Sequence, residues 1–428
     1  MRQIIFLLFL LFLTALLALG DYLGLIPISL FGIKFYGADF LIILLGVSIA
    51  VYGFKFLLNT NISLFLFLFL LFGFFSLLYG YLEGHELKAV IGDFRRLFFY
   101  STAFAFTWTM LNNPKRTIKT QRIIYIASIP VVVLSILRAW KGVSWHPNYS
   151  EGDMRAVSYA STAVLFWVFF DSSTRLLFTI DWGKMRLKYF PWMIIASFTL
   201  LISNYRTLWI IPLVGFLGVL LLSWQQGYLR HTRIIFSVIM IAGTVLVAIY
   251  LLKISQNQIY LLVEQKFYEK VLGFRFIDSF RYFIWREAWN RFSTSRLIGV
   301  GIGDRLEYNI LSTQGIWYTR ISTAHNILFE LLYQTGVIGM LIFIIPQILF
   351  VVYVWSNIRN LSHQWVQPTI AAFFTYLSMF ALGQFQPFLT VPSVAVMFYM
   401  IMGITVRFVY WGRRDNNLKE ILVENRDF

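Results

Sequence analysis

The chain has no cysteine, which excludes disulfides, thiolate metal sites and a cysteine nucleophile. Charge is scarce: only 13% of its 428 residues are Asp, Glu, Lys or Arg, about half the share of an ordinary soluble domain. No Asp-x-Asp pair and no His-Glu-x-x-His occurs, so a metal-dependent sugar-nucleotide transferase and a zinc protease are both unsupported. Asp39, Glu83, Glu86 and Asp93 lie near the outer ends of early spans; two of them could hold a cation, but scattered acids do not define a metal site. No sequence repeat of fixed period and no low-complexity linker is visible.

What fills the chain is apolar. Hydrophobic residues make up 59%, with 44 Phe and 14 Trp, and mean hydropathy is +0.70. A chain of this composition has little surface to offer water, so its solvent is lipid. Runs long enough to span a bilayer fall near 4–19, 38–58, 62–82, 89–111, 121–140, 155–171, 187–205, 207–223, 233–252, 327–355, 366–385 and 389–410. The run at 4–19 has only Arg2 as an n-region and a poor cleavage site at Ala18-Leu19-Gly20, and is read as an uncleaved first span. The fold class expected is an all-α polytopic membrane protein of about twelve transmembrane helices with one large extracytoplasmic helical loop. It divides into residues 1–252 with nine spans, the loop 253–325, and residues 326–428 with three spans and a cytoplasmic tail.

Net charge is +16. In a soluble chain that would raise nucleic acid as a partner. Here it follows the loops. Lys115, Arg116, Lys119 and Arg122 share one connection, Arg175, Lys184, Arg186 and Lys188 a second, and Arg230 and Arg233 a third. Arg407, Arg413 and Arg414 lie near the C-terminal end. All fall on one side if the N-terminus is cytoplasmic, which makes that side the inside and puts 253–325 outside.

The outer loop is nevertheless rich in Arg. Arginine forks match phosphate oxygens two at a time, and a membrane-level cavity lined by them suits a lipid carrying phosphate or diphosphate. For any one of them, a salt bridge or a contact to headgroups is the alternative. Three positions stand out. Arg206 sits at a break between two spans, Ser203-Asn204-Tyr205-Arg206-Thr207, where a charge needs a polar cavity. Arg281 opens an amphipathic helix along which Ile284, Trp285, Ala288, Trp289 and Phe292 recur at helical spacing. His325, in Ala324-His325-Asn326, closes the loop just before a long apolar run, where a neutral imidazole can accept a proton. Asp93 with Arg95 and Arg96 reads as an intrahelical pair lining the bundle. Gly299-Val300-Gly301-Ile302-Gly303 lacks the strand and helix of a dinucleotide fingerprint and reads as a turn for close packing. Phosphate binding by its amides is the alternative.

At these residues the chain resembles the O-antigen ligase and polymerase family of bacterial envelope glycan enzymes. The likeness rests on three stretches. Ser203-x-x-Arg206 is similar to a Ser-x-Ser-Arg stretch, with Tyr205 where a small hydroxyl residue is usual. Arg281-x-x-x-Trp285-x-x-Ala288 is followed by Leu297-Ile298-Gly299-Val300-Gly301-Ile302-Gly303. Ala324-His325-Asn326-Ile327-Leu328 leads into Glu330-Leu331-Leu332 and Gly336-Val337-Ile338-Gly339.

The resemblance implies a bacterial inner-membrane enzyme with its active site facing the periplasm or exterior. It implies an inverting transfer of a glycan from an undecaprenyl-diphosphate carrier to an acceptor sugar hydroxyl, with no cofactor and no metal. Arg206 and Arg281 would meet the diphosphate and His325 the acceptor hydroxyl. Arg286, Arg95, Arg96, Asn326 and Tyr282 are the further candidates for substrate binding. The partners implied are the carrier-linked donor, a glycan or lipid A-core acceptor and membrane lipids, with no nucleic acid. The motifs are common to both branches of the family. Polymerase is preferred because such enzymes occur in many polysaccharide pathways, and a ligase attaching chains to lipid A-core is the alternative. A flippase of lipid-linked sugars is a further alternative, but it should show related halves and midplane binding residues, and neither is visible.

The cysteine-free background makes the topology directly testable. A cysteine introduced near residue 310 should react with an impermeant thiol reagent in intact spheroplasts, and one near residue 420 should not. The opposite labelling pattern would reverse the assignment of inside and outside.

Overall fold

The computed structural model describes residues 2–23, 28–30, 33–53, 58, 60–141, 157–178, 182–202, 207–225, 279–311, 317–385 and 391–424. Arg206 and the span expected at 233–252 lie outside the described residues. The N-terminal helices are α1 (Arg2–Leu23), α2 (Phe40–Tyr52), α3 (Asn61–Leu82), α4 (Leu87–Leu97) and α5 (Thr102–Met110). Next come α6 (Pro114–Lys141), α7 (Tyr159–Phe178), α8 (Trp182–Leu201) and α9 (Thr207–Gln225). Then follow α10 (Ser279–Thr294), α11 (Ile327–Asn357), α12 (His363–Leu382) and α13 (Pro392–Glu424).

In lipid each backbone N–H must find its partner within the chain, so apolar runs fold as helices. Among the described residues α3, α6, α11, α12 and α13 are long and apolar enough to cross a membrane. Shorter apolar helices occupy 3–18, 37–52 and 210–225. The chain is therefore a multi-pass membrane protein. In their most apolar stretches α12 and α13 are 83% and 94% buried, against 33–39% for α3, α6 and α11. The first two form the centre of the bundle, with the almost wholly buried α7 beside them. The outer helices turn Leu, Ile and Phe side chains to lipid.

Polar contacts sort the helix ends. Arg116 stacks on Phe6, Arg407 donates to the Trp108 carbonyl, and the Ser362 amide donates to the Gly412 carbonyl. Arg359 reaches Gln225. This end therefore carries Lys115, Arg116, Arg359, Arg413 and Arg414 together. At the other end the Ile327 amide donates to Gly383, and the α3–α4 turn meets residues 300–303.

Three local features differ from the sequence reading. The run 89–111 is not one span. Helix α4 ends at Leu97, and a 3-10 turn over Phe99–Ser101 leads into α5. The charges explain the break: α4 turns Asp93 inward and carries Arg95 and Arg96 in its last turn. The buried Phe98, Tyr100 and Ser101 keep the irregular backbone inside protein. The second feature is β-structure in an otherwise helical chain. β1 (Ile28–Leu30) pairs antiparallel with β2 (Ile33–Phe35), and in the loop before α11 β3 (Leu306–Leu311) pairs antiparallel with β4 (Trp317–Ser322), Leu306 opposite Ser322. The run Trp-Tyr-Thr-Arg-Ile is rich in aromatic and β-branched residues, which favour the extended pleat.

The third feature is a kink in α11 at Gly336, whose φ is 66°. A Cβ there would lie 2.2 Å from the Leu297 carbonyl oxygen. The kink exposes helix backbone to the glycine-rich segment. Val300 and Gly301 amides donate to the Tyr333 and Gln334 carbonyls at 2.9 and 3.0 Å, and Val337 donates back to Arg296 at 2.9 Å. Gly303, at φ 98°, lies against Val90 of α4. Gly336→Ala combines a left-handed non-glycine residue with a backbone clash. It should destabilise by at least roughly 1–3 kcal/mol, read as a lower Tm in detergent. An unchanged Tm would mean that the two segments can separate freely.

Candidate functional site

The site lies where three segments meet at the end opposite the basic one: α4, the Gly299–Arg305 segment with α10 below it, and the first turns of α11. Helix α10 packs as its periodicity predicts. Ile284, Ala288 and Phe292 are buried in a small core with Leu306, Ala324 and Tyr333. Trp285 stacks on Phe329 at 5.5 Å. The buried stripe is narrower than the sequence indicates, since Trp289 is 53% exposed.

At the junction with α11, the backbone of His325 has φ 53°, the single non-glycine residue with positive φ among those described. Left-handed backbone costs an L-residue roughly 1–2 kcal/mol, so the surroundings must hold it. The Ala324 amide donates to Glu330 Oε2 at 2.7 Å, and its carbonyl accepts from Trp285 Nε1 at 3.0 Å. Asn326 caps α11: its Oδ1 accepts from the Leu328 and Phe329 amides at 2.9 and 3.1 Å. Its Nδ2 donates to the Gln384 carbonyl at 3.0 Å. Both neighbours of His325 are thus pinned, and His325 itself is half-buried.

Behind this turn lies a buried cluster of charges. Arg96 pairs with Glu330 at 2.6 Å and with Asp93 at 2.9 Å. Asp93 also takes Arg305 at 3.0 Å, the Gly303 amide at 3.0 Å and Gln334 Nε2 at 3.2 Å. Asp93 and Glu330 are both only 1% exposed. Two carboxylates and two guanidiniums balance, which makes burial of the set tolerable. The intrahelical pair expected within α4 is Asp93 with Arg96; Arg95 instead pairs with Asp39 at 2.8 Å, and Tyr100 donates to the same carboxylate. At the rim, Arg291 joins Glu287 and Asp304 at 3.0 and 3.2 Å, and His85 Nε2 donates to the Val300 carbonyl at 3.0 Å. Burial lifts the Asp304 carboxyl above its ordinary value, with Arg291 and His85 pulling it back. Its charged form therefore opposes folding, and this contribution to stability falls as pH rises through the raised value.

The structure brings His325, Asn326 and Arg96 into one region. Residue 281 lies on α10 one turn before Trp285, whose indole reaches Ala324. Tyr282 follows it on the same helix, and Arg286 is exposed there. The cluster members that pattern reading did not single out are Glu330, Arg305, Gln334, Asp304 and His85. Glu330 did carry a signal: an acid in the first turn of an apolar helix must pair with something.

This is a multi-pass membrane protein whose loop and helix ends build a charged, histidine-bearing site at one end of the bundle. Residues 191–344 match the family model described as O-antigen ligase. Over that segment the chain carries an O-antigen ligase domain, the domain of membrane glycan-transfer enzymes of the ligase and polymerase type. Comparison with curated proteins gives no match. The matched segment contains Arg281, Asp304, Arg305, His325 and Glu330, whereas His85, Asp93 and Arg96 come from outside it.

Removing one partner of a buried pair strands the other charge, at a cost of roughly 3–5 kcal/mol. Arg96→Met and Glu330→Met should each destabilise by about that amount, and the double variant by clearly less than their sum. Denaturation of the purified proteins measures all three. Strict additivity would mean that the two side chains do not share one interaction.

Proposed function

We propose that the protein transfers a glycan from an undecaprenyl-diphosphate carrier to an acceptor sugar hydroxyl, outside the cytoplasm, by metal-independent inverting displacement. The observation that carries this reading is the strained, doubly pinned His325 turn inside an O-antigen ligase domain. Strain held by surrounding structure is a mark of a working residue. The clustering of short-loop cations at the other end of the bundle supports the orientation.

In the reaction the acceptor oxygen attacks the anomeric carbon as the bond from that carbon to the diphosphate oxygen breaks. His325 accepts a hydrogen bond or the proton from the hydroxyl on the attacking side. Arg206 and Arg281 receive the charge developing on the departing lipid diphosphate. Arg286, Arg95, Arg96 and Tyr282 are the further substrate contacts in this scheme. Arg96 also holds Glu330, and Asn326 acts by fixing the helix end beside the histidine.

Elongation of carrier-linked repeats, the polymerase reaction, is the acceptor choice we favour. Attachment to lipid A-core is the second reading, favoured by the description of the matched family. Purified protein given carrier-linked repeat units alone separates the two. Longer chains on the carrier mean polymerase, and product only on addition of lipid A-core means ligase. Movement across a bilayer with no bond broken would replace both with a flippase.

The residue roles are tested separately. Arg281→Lys and Arg206→Lys keep the charge but lose the paired donors, and each should lower the rate about 30- to 1000-fold with folding retained. Full activity in either variant would remove the bidentate role of that residue. His325→Ala should abolish transfer with donor binding nearly intact. A base must be unprotonated, so the wild-type rate should fall on acidification. If His325→Gln shows the same pH profile as wild type, the histidine is not the base. Activity should also survive EDTA; complete inhibition restored by magnesium would show that acids such as Glu83 and Glu86 bind a cation.

A further inference from the structure

At the opposite end of the bundle, helices α6, α7 and α8 line an open cavity of about 540 Å³. Its size falls within the roughly 300–1,000 Å³ of ligand sites. One wall is a single stripe of α6, with Ile118, Arg122, Ile126 and Ile129 at helical spacing. Arg122 lies eight residues into α6, about 12 Å along its axis. Ile126 and Ile129, deeper still, are 61% and 48% exposed and continuous with the surface that faces lipid. The other wall is Arg175 of α7 with Lys188, Tyr189 and Trp192 of α8.

The polar part of this cavity is braced from behind. Asp171 is fully buried and accepts from Arg175 Nε at 2.7 Å, Gln121 at 3.0 Å and Tyr125 at 2.5 Å. Tyr189 lies between two cations, with the Arg175 guanidinium 5.0 Å and the Lys188 ammonium 5.2 Å from its ring centre. Arg175 is paired with this buried carboxylate, and Arg122 and Lys188 add two exposed cations to the same cavity. The apolar stripe runs from there towards the membrane interior. Charge at one end and an open hydrocarbon wall at the other fit an amphiphile with an anionic head.

We propose that this cavity binds the phosphate headgroup of an anionic diacyl phospholipid, with an acyl chain lying along Ile126 and Ile129. The site is independent of the catalytic reading, because none of its residues belongs to the cluster around His325. A soluble phosphate would use the same cations but not the isoleucine stripe, which distinguishes the two sources.

Native mass spectrometry of the delipidated full-length protein in detergent tests this. Phosphatidylglycerol should bind at least about tenfold more tightly than phosphatidylcholine, given two accessible cations at the surface. Arg122→Ala with Lys188→Ala should abolish the preference. Both side chains are exposed, so folding should persist, as circular dichroism would check. Arg122→Lys with Lys188→Arg should keep it. Equal binding of the two lipids, or an unchanged preference in the double alanine variant, would overturn the proposal. Displacement of phosphatidylglycerol by millimolar inorganic phosphate would also overturn it, in favour of a simple anion site.

Discussion

The guanidinium of Arg96 sits between two buried carboxylates, Asp93 on its own helix and Glu330 on α11. That interaction joins α4 to α11. Glu330 uses its second oxygen to bind the Ala324 amide, so the same pair sets the backbone beside His325. Asp93 adds the Gly303 amide and Arg305, which ties in the glycine-rich segment. Buried ion pairs contribute little net stability against an apolar alternative, but breaking one is expensive. The cluster is best understood as a device that allows one arrangement of three segments. The strained histidine turn is the product of that arrangement.

The division of labour crosses the boundary of the ligase domain. The matched segment, 191–344, supplies the histidine turn, the loop and Glu330. The carboxylate and arginine that complete the cluster lie on α4, before that segment. Helix α4 ends where a spanning helix would continue, and this early stop lets its charged last turn face protein. The opposite end of the bundle has another character: short-loop cations, lipid-facing isoleucines and a cavity between α6, α7 and α8. The protein thus presents a charged, densely hydrogen-bonded site at one end and a basic cavity with exposed isoleucines at the other.

Much of this was legible in the chain. Apolar runs announced α3, α9, α11 and α12 closely, because a span must be long enough to cross a bilayer. By contrast, α2, α6, α7, α8 and α13 start or stop well away from the runs that predicted them. The spacing of Ile284, Ala288 and Phe292 announced the buried face of α10, and Ala-His-Asn before an apolar run marked the histidine turn. The pairing of Arg96 with Glu330 was not legible, since the partners are 234 residues apart and no local pattern reports a contact at that distance. Nor was the α4 break: its run is apolar enough to read as one span, and only the fate of its charges decides otherwise. Asn326 looked like a substrate contact from sequence; its described bonds cap a helix, a role that depends on where α11 begins. The roles of His325, Arg281 and Arg206 rest on the resemblance and the proposed chemistry, and Arg206 lies outside the described residues.

If the buried pair sets the histidine turn, removing both charges together should leave a folded protein with a loosened turn. Hydrogen–deuterium exchange of the 323–330 segment in the Arg96→Met, Glu330→Met double variant measures this directly. The Ala324 amide loses its acceptor there, while Asp93 keeps Arg305 as its counter-ion. The account predicts fast exchange at residues 324–326, with the protection of α12 and α13 unchanged. Protection at 324–326 equal to that of the wild type would contradict it, because the turn would then be held without the ion pair.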